Sequence, residues 1–143
     1  MRFSGCSLRE VNARVLIVDD EVDFVELVAF NMKRRGYEVL TASDGAEALS
    51  KARKFLPDLI ILDVMLPELD GLSVCEILRS QPSTETIPVL MCTALSGEIA
   101  RLNGAGAGAD EFHSKPFKLG EFLACVDRLL QQRPGKVRVS RGV

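Results

Sequence analysis

Acids, a hydroxyl and an ammonium recur where the apolar runs of this chain end. Asp63 follows Leu59-Ile60-Ile61-Leu62, Asp19 and Asp20 follow Val15-Leu16-Ile17-Val18, and Thr93 follows Val89-Leu90-Met91-Cys92. Lys115 comes after a shorter segment around Phe112. If the runs are buried parallel strands, these side chains meet in the crevice beyond the strand carboxyl ends, where open α/β sheets bind ligands. Clustered carboxylates repel one another unless they are protonated or neutralised by a cation. An all-oxygen donor set suits Mg²⁺, which takes one or two protein carboxylates and completes its sphere with water and phosphate oxygens. Lys115 and Thr93 would offer a positive charge and a hydroxyl donor to a phosphoryl group. The chemistry these groups suggest is phosphoryl transfer to a carboxylate nucleophile, with metal and lysine stabilising the charge.

The elements that must position these groups follow from periodicity. Strand-like runs fall at about 14–18, 38–42, 58–62, 88–92 and 109–113. The first, third and fourth are continuously apolar, as strands covered on both faces are. Helical stripes lie between them: Val25, Val28, Ala29 and Met32; then Ala46, Leu49 and Ala52; then Val74, Ile77 and Leu78. Leu119, Phe122, Leu123, Val126 and Leu130 form the last stripe. Gly36 ends the first helix, and Pro57 and Pro88 precede strands. Asp44 and Glu47 have the spacing of an N-cap and its returning glutamate. The alternation points to a doubly wound parallel sheet. The segment from Ser96 to Gly106 is the weakest helix, because an interior glycine costs about 1 kcal/mol relative to alanine. It is expected to be short or to move.

Bulk properties set the class. At 143 residues, with 47% hydrophobic and 27% charged residues, the chain is expected to form one globular domain. A formal net charge of −2 gives no global basic field for nucleic acid or an anionic membrane. Cys6, Cys75, Cys92 and Cys125 are scattered, without the pairing of a metal or redox motif. The first residues lack the apolar stretch of a signal peptide, and no run reaches spanning length. A cytoplasmic protein is expected, with residues 1–12 as an N-terminal extension, 13–133 as the domain, and 134–143 as a basic tail or the start of a linker.

From about Ala13 to Arg133 the chain resembles the receiver domain of two-component response regulators. The motifs that carry the resemblance are Val18-Asp19-Asp20-Glu21, Asp63-Val64-Met65-Leu66-Pro67 with Asp70-Gly71, Thr93-Ala94, and Lys115-Pro116-Phe117. The resemblance implies a flavodoxin-like, five-stranded sheet of order 2-1-3-4-5 with helices on both faces. It makes Asp63 the phosphoacceptor, receiving a phosphoryl group from a sensor histidine kinase or phosphotransfer protein. Asp20, Asp63 and the Met65 backbone carbonyl would ligate Mg²⁺, with Asp19 acting through water. Lys115, the Thr93 hydroxyl and the Ala94 amide would contact the phosphoryl group. Phe112 matches the switch aromatic that turns inward as Thr93 moves, and the Lys115-Pro116 bond is expected to be cis. The implied role is a reversible phosphate acceptor rather than a turnover enzyme.

Read singly, these residues have plainer roles. Asp19 and Asp20 could form a solvated turn, Asp63 a cap, Thr93 a strand-end hydroxyl, and Lys115 a surface cation. Together at strand ends they favour a site. Glu21 would touch the metal's water shell or favour the first helical turn. His113 reads as a strand residue. A Mg²⁺-dependent phosphohydrolase is the alternative, but Val64, Met65 and Leu66 supply no general acid beside Asp63. A flavin-phosphate module is more remote, since Asp19, Asp20 and Glu21 would repel the phosphate.

In similar receivers the residues two places after the phosphoacceptor and after the switch threonine tune phosphoryl loss. Here Met65 and Leu95 are apolar, which implies a long-lived phosphoaspartate. The signal would leave through the fourth-helix, fifth-strand, fifth-helix face, to a downstream protein or an output domain. Asp110, Glu111 and Glu121 resemble acidic partners there. A homodimer on phosphorylation is one expected outcome, but Cys125 and Asp127 stand where basic residues are common in the DNA-binding subfamily, which disfavours a homodimer built on that charge network.

Overall fold

The computed structural model of the protein describes residues 13–132. Strands β1 (Arg14–Val18), β2 (Glu38–Ala42), β3 (Leu59–Leu62), β4 (Val89–Thr93) and β5 (Glu111–Ser114) alternate with helices α1 (Val22–Arg34), α2 (Gly45–Phe55), α3 (Gly71–Arg79), α4 (Glu98–Ala107) and α5 (Leu119–Gln132). All strand pairs are parallel, in the order β2-β1-β3-β4-β5. This is the doubly wound, flavodoxin-like architecture expected from the chain. The expected extension 1–12 and tail 134–143 lie outside the described residues.

Strand alternation divides the interior in two. Leu16, Val18, Ile60, Leu62, Val89 and Met91 face one core, closed by Ala48, Leu49 and Ala52 of α2, Val74, Cys75 and Leu78 of α3, and Ala107 of α4. Val15, Ile17, Leu59, Ile61, Leu90 and Cys92 face the other, closed by Val28 and Met32 of α1 and by Phe122, Val126 and Leu130 of α5. Central strands β3 and β4 are buried at every position, whereas the outer strands β2 and β5 are only partly covered. That difference is why the central runs are purely apolar and the edges are not.

Several local expectations shift. In α2 Ala48 joins Leu49 and Ala52 in the core, and Ala46 is exposed. Gly45 sets this phase, because a Cβ there would meet the Leu69 carbonyl oxygen at 2.7 Å and Val74 at 2.9 Å. The fifth strand starts at Glu111 rather than 109, since α4 continues to Ala107 and closes on Gly108 at φ 106°. Only glycine adopts that conformation without strain. The amide of Ala109 then returns to the Gly104 carbonyl at 3.0 Å. The glycine-bearing α4 is thus a ten-residue helix. Its Gly104 is buried, and a Cβ there would sit 3.1 Å from both Met91 Sδ and Phe112 Cδ2. Close packing on Phe112 is what the missing side chain allows.

The strand ends are extended by single bonds that aim the next residue. The Asp19 amide donates to the Ala42 carbonyl and the Asp63 amide to the Val18 carbonyl, each at 3.1 Å. The Lys115 amide donates to the Thr93 carbonyl at 2.7 Å. Each bond carries the parallel register one step past its strand.

Candidate functional site

Asp19 and Asp63 are 2% and 6% exposed and Thr93 is fully buried, while Asp20 is exposed at the mouth. Carboxylate oxygens of Asp19, Asp20 and Asp63 lie within 4.8 Å of one another. The fold therefore brings Asp63 to the Asp19-Asp20 pair. Asp63 Oδ1 accepts the Met65 amide at 3.0 Å, which fixes the carboxylate against its own loop. Asp63 Oδ2 lies 3.4 Å from Lys115 Nζ. Asp19 Oδ1 accepts the Glu21 amide at 2.9 Å, and Asp19 Oδ2 accepts from Lys115 Nζ at 2.8 Å.

Lys115 is the hub. Its ammonium also donates to Glu21 Oε1 at 3.0 Å and sits 4.0 Å from the centroid of the Phe24 ring. Burial works to lower its pKa, but hydrogen bonds to Asp19 and Glu21, with the charges of Asp19 and Asp63, outweigh burial and hold it above the ordinary lysine range. Burial lifts the Asp19 carboxyl above its usual range, against the bonds from Lys115 and the Glu21 amide. The cation therefore stays charged among the acids. The Lys115-Pro116 bond is cis, as expected.

The remaining predicted residues lie on β4, β5 and the β3–α3 and β4–α4 loops. Thr93 ends β4, and its Oγ1 accepts the Leu95 amide at 3.3 Å. Ala94 follows it in the exposed β4–α4 loop. Met65 projects an exposed side chain from the β3–α3 loop. The Phe112 ring is buried, turned inward onto α4 beside Gly104. His113 stands edge-on to Phe117 and Phe122, with centroids 6.2 and 6.0 Å away, as a member of an aromatic cluster.

Phe24 escaped the sequence reading, and Gly71 stood in it only as part of the Asp70-Gly71 motif, without a role. Phe24 supplies the ring beneath Lys115, and the only trace was an aromatic residue in the first turn after the acidic pair. Gly71 lets the start of α3 press against the Asp63 backbone, with its amide on the Val64 carbonyl at 2.8 Å. Glu21, of undecided role in sequence, is a direct partner of Lys115.

The acid set tests well against a hard divalent cation. Its donors are all oxygens, close enough to share one ion, with one acid exposed to solvent. The Cys92 thiol, next to Thr93 in the chain, is buried, and burial pushes it up to about 12, so it offers no thiolate.

Fold and site together define a signalling receiver, and the comparisons agree. The model of the response regulator receiver domain matches residues 15–127, and the chain belongs to that family. It is 48% identical over 122 residues to the alkaline phosphatase synthesis transcriptional regulatory protein PhoP of Bacillus subtilis, covering 85% of this chain and 50% of that protein. It is 45% identical over 132 residues to the response regulator PleD of Caulobacter vibrioides, covering 85% of this chain and 29% of that protein. The chain thus spans half or less of these curated relatives. Among solved structures, the non-phosphorylated HemR receiver domain of Leptospira biflexa superposes with a TM-score of 0.79 at 32% identity, covering 87% of this chain and all of that one. The BeF3-activated RstA receiver domain of Klebsiella pneumoniae gives 0.78 at 26% identity, covering 83% of this chain and 99% of that one. Among the described residues no helix is long and apolar enough to cross a membrane.

Proposed function

We propose that Asp63 is the phosphoacceptor of this receiver and that residues 13–133 form the responding unit. The observation that carries the reading is a nearly buried carboxylate whose second oxygen faces the Lys115 ammonium, beside Asp19 and Asp20. A carboxylate oxygen of Asp63 attacks the phosphorus of a phosphohistidine on a sensor kinase or phosphotransfer protein. The phosphorus–nitrogen bond breaks and the imidazole leaves. Lys115 neutralises charge on the transferred phosphoryl oxygens, and the Thr93 hydroxyl and Ala94 amide donate to them.

Asp20, Asp63 and the Met65 carbonyl would hold Mg²⁺, with Asp19 reaching it through water. The ion supplies Lewis-acid neutralisation of charge on the phosphoryl oxygens. The protein ends its reaction as the phosphorylated species, so it acts as an acceptor and not as a turnover catalyst. We place it in the cytoplasm, a compartment consistent with buried, unpaired Cys75, Cys92 and Cys125.

The signal leaves through the face of α4, β5 and α5 toward an output domain or a downstream protein. α4 exposes Ile99 and Leu102 there. PhoP is named a transcriptional regulatory protein and PleD a response regulator, each longer than this chain's match, and an attached output is the reading we favour here. Asp110 and Glu111 are already paired within the chain, to Arg79 and Arg128, each at 2.9 Å. A homodimer held by those acids would have to break these pairs first.

The test is incubation with acetyl phosphate and Mg²⁺, followed by intact mass and by sizing. Gain of one phosphoryl group in the wild type, and none in Asp63→Asn, is expected. Equal modification of the variant would overturn the assignment.

A further inference from the structure

We infer that Phe24 is a positioning residue for phosphoryl transfer, its ring face holding the Lys115 ammonium toward Asp63. The inference rests on Lys115 contacting the phosphoryl group, as proposed above. The ammonium has Asp19, Glu21 and Asp63 on its donor sides, at 2.8, 3.0 and 3.4 Å, and the Phe24 ring at 4.0 Å. The Lys115 side chain is only 14% exposed, so the ring and the acids together leave it little water. A cation over an aromatic face gains about 0.5–1 kcal/mol when exposed and about 2 kcal/mol when desolvated.

The four neighbours differ in what they can do during the reaction. Asp19 and Asp63 belong to the acid set that a cation would draw on, and Glu21 is exposed to competing solvent. A neutral ring is not competed for by a metal or by a phosphoryl group. Phe24 is therefore the neighbour whose grip on Lys115 persists while the charged partners redistribute.

The ring is also braced. Phe24 meets Phe117 edge to face at 6.1 Å, and Phe117 stacks on Phe122 at 4.6 Å with an interplanar angle of 19°. Phe122 is fully buried in α5. A continuous aromatic wall thus runs from the core to the ammonium, and it fixes Phe24 more firmly than an exposed first-turn side chain would be. Phe117 lies two residues after Lys115, so one short segment carries both the cation and the brace for its ring.

The experiment compares Phe24→Leu, which keeps apolar volume without a ring, with Phe24→Tyr, which restores the ring. Three quantities are read on each: the rate of phosphorylation by acetyl phosphate at saturating Mg²⁺, the calorimetric Mg²⁺ affinity, and the Lys115 side-chain methylene resonances in metal-free protein. Phe24→Leu should slow phosphorylation roughly two- to thirtyfold, the span that a lost cation–π contact of about 0.5–2 kcal/mol converts to. Mg²⁺ affinity should stay within about twofold, and the Lys115 signals should lose their ring-current shift. Phe24→Tyr should recover both rate and shift. An unchanged rate in Phe24→Leu, or an equal fall in Leu and Tyr variants, overturns the inference. If Phe24→Leu does not fold, Phe24→Met takes its place with the same expectations. Failure of the underlying assignment shows separately, as phosphorylation that survives Lys115→Ala or Asp63→Asn.

Discussion

Gly71 stands directly against the backbone of Asp63. A Cβ at Gly71 would overlap the Asp63 carbonyl and come within 2.8 Å of Val64 Cα, neither of which can step aside as a flexible side chain could. The first turn of α3 therefore rests on the loop that carries the phosphoacceptor, and the Gly71 amide ties the two through Val64. Gly71→Ala should cost about 1–3 kcal/mol as overpacking, more than the gain of about 1 kcal/mol that alanine brings to a helix. The urea midpoint should fall accordingly. Because the displaced group is Asp63 itself, the phosphorylation rate should drop further than the loss of folded protein explains.

Arg79 performs a comparable service at the opposite end of the sheet. Its Nε donates to the Gly108 carbonyl at 2.9 Å, its Nη1 to the Ile87 carbonyl at 2.7 Å, and its Nη2 to Asp110 at 2.9 Å. One guanidinium thus joins the end of α3, the entry to β4 and the C-cap of α4. Arg79→Ala should destabilise by about 2–4 kcal/mol, since several part-buried acceptors lose a charged donor together. Lysine should recover only part, having no planar fork. Hydrogen exchange at Ala109 and Asp110 should quicken in both variants, reporting a loosened α4 terminus.

Much of this architecture was legible because burial on both faces writes an unbroken apolar run, as in β3. The site acids were legible for the same reason: Asp19, Asp20 and Asp63 interrupt such runs where no core residue would. What stayed hidden depends on contacts between distant segments. The start of β5 turned on Gly108 closing α4, and the phase of α2 on Gly45 meeting Leu69. Phe24 gave no periodic signal, because its partner is an ammonium from another strand end. Asp127 looked like a basic position that had changed sign. In the fold it accepts from Arg35 Nη2 at 2.6 Å and from the Tyr37 hydroxyl at 2.7 Å, tying α5 to the turn after α1.

That cluster makes a pH prediction. The hydrogen bond from Arg35, helped by Tyr37 and opposed by burial, holds the Asp127 carboxyl below the usual carboxylate range. A depressed folded value means the contribution is complete above the unfolded carboxylate pKa of about 3.9 and is lost as pH falls through the lower folded value. Arg35 is raised instead, so its share fades only under strong alkali. At neutral pH, Asp127→Asn should cost about 1 kcal/mol, a modest figure because the pair is partly solvated. The gap between variant and wild type, read by urea unfolding from pH 7 to pH 2.5, should narrow as the acid limb is reached.

By the resemblance to similar receivers, the lifetime of the phosphorylated form is set by the residues two places after Asp63 and two after Thr93. Met65 is 55% exposed and Leu95 is 41% exposed, each projecting from a loop beside the acceptor. Neither carries a group that can accept a proton from, or orient, an attacking water. A thioether and an isobutyl group offer such a water no strong hydrogen-bond partner. Hydrolysis of an acyl phosphate needs a water placed in line with the leaving carboxylate, so unassisted decay is expected on the order of minutes to hours. Replacing both residues by hydrogen-bonding amides, Met65→Asn with Leu95→Gln, should speed decay several-fold while leaving Mg²⁺ affinity near wild type, since only the Met65 carbonyl is assigned to the metal. Decay is followed by intact mass after removal of acetyl phosphate. Loss of the phosphoryl group within seconds in the wild type would show that some other residue positions the water.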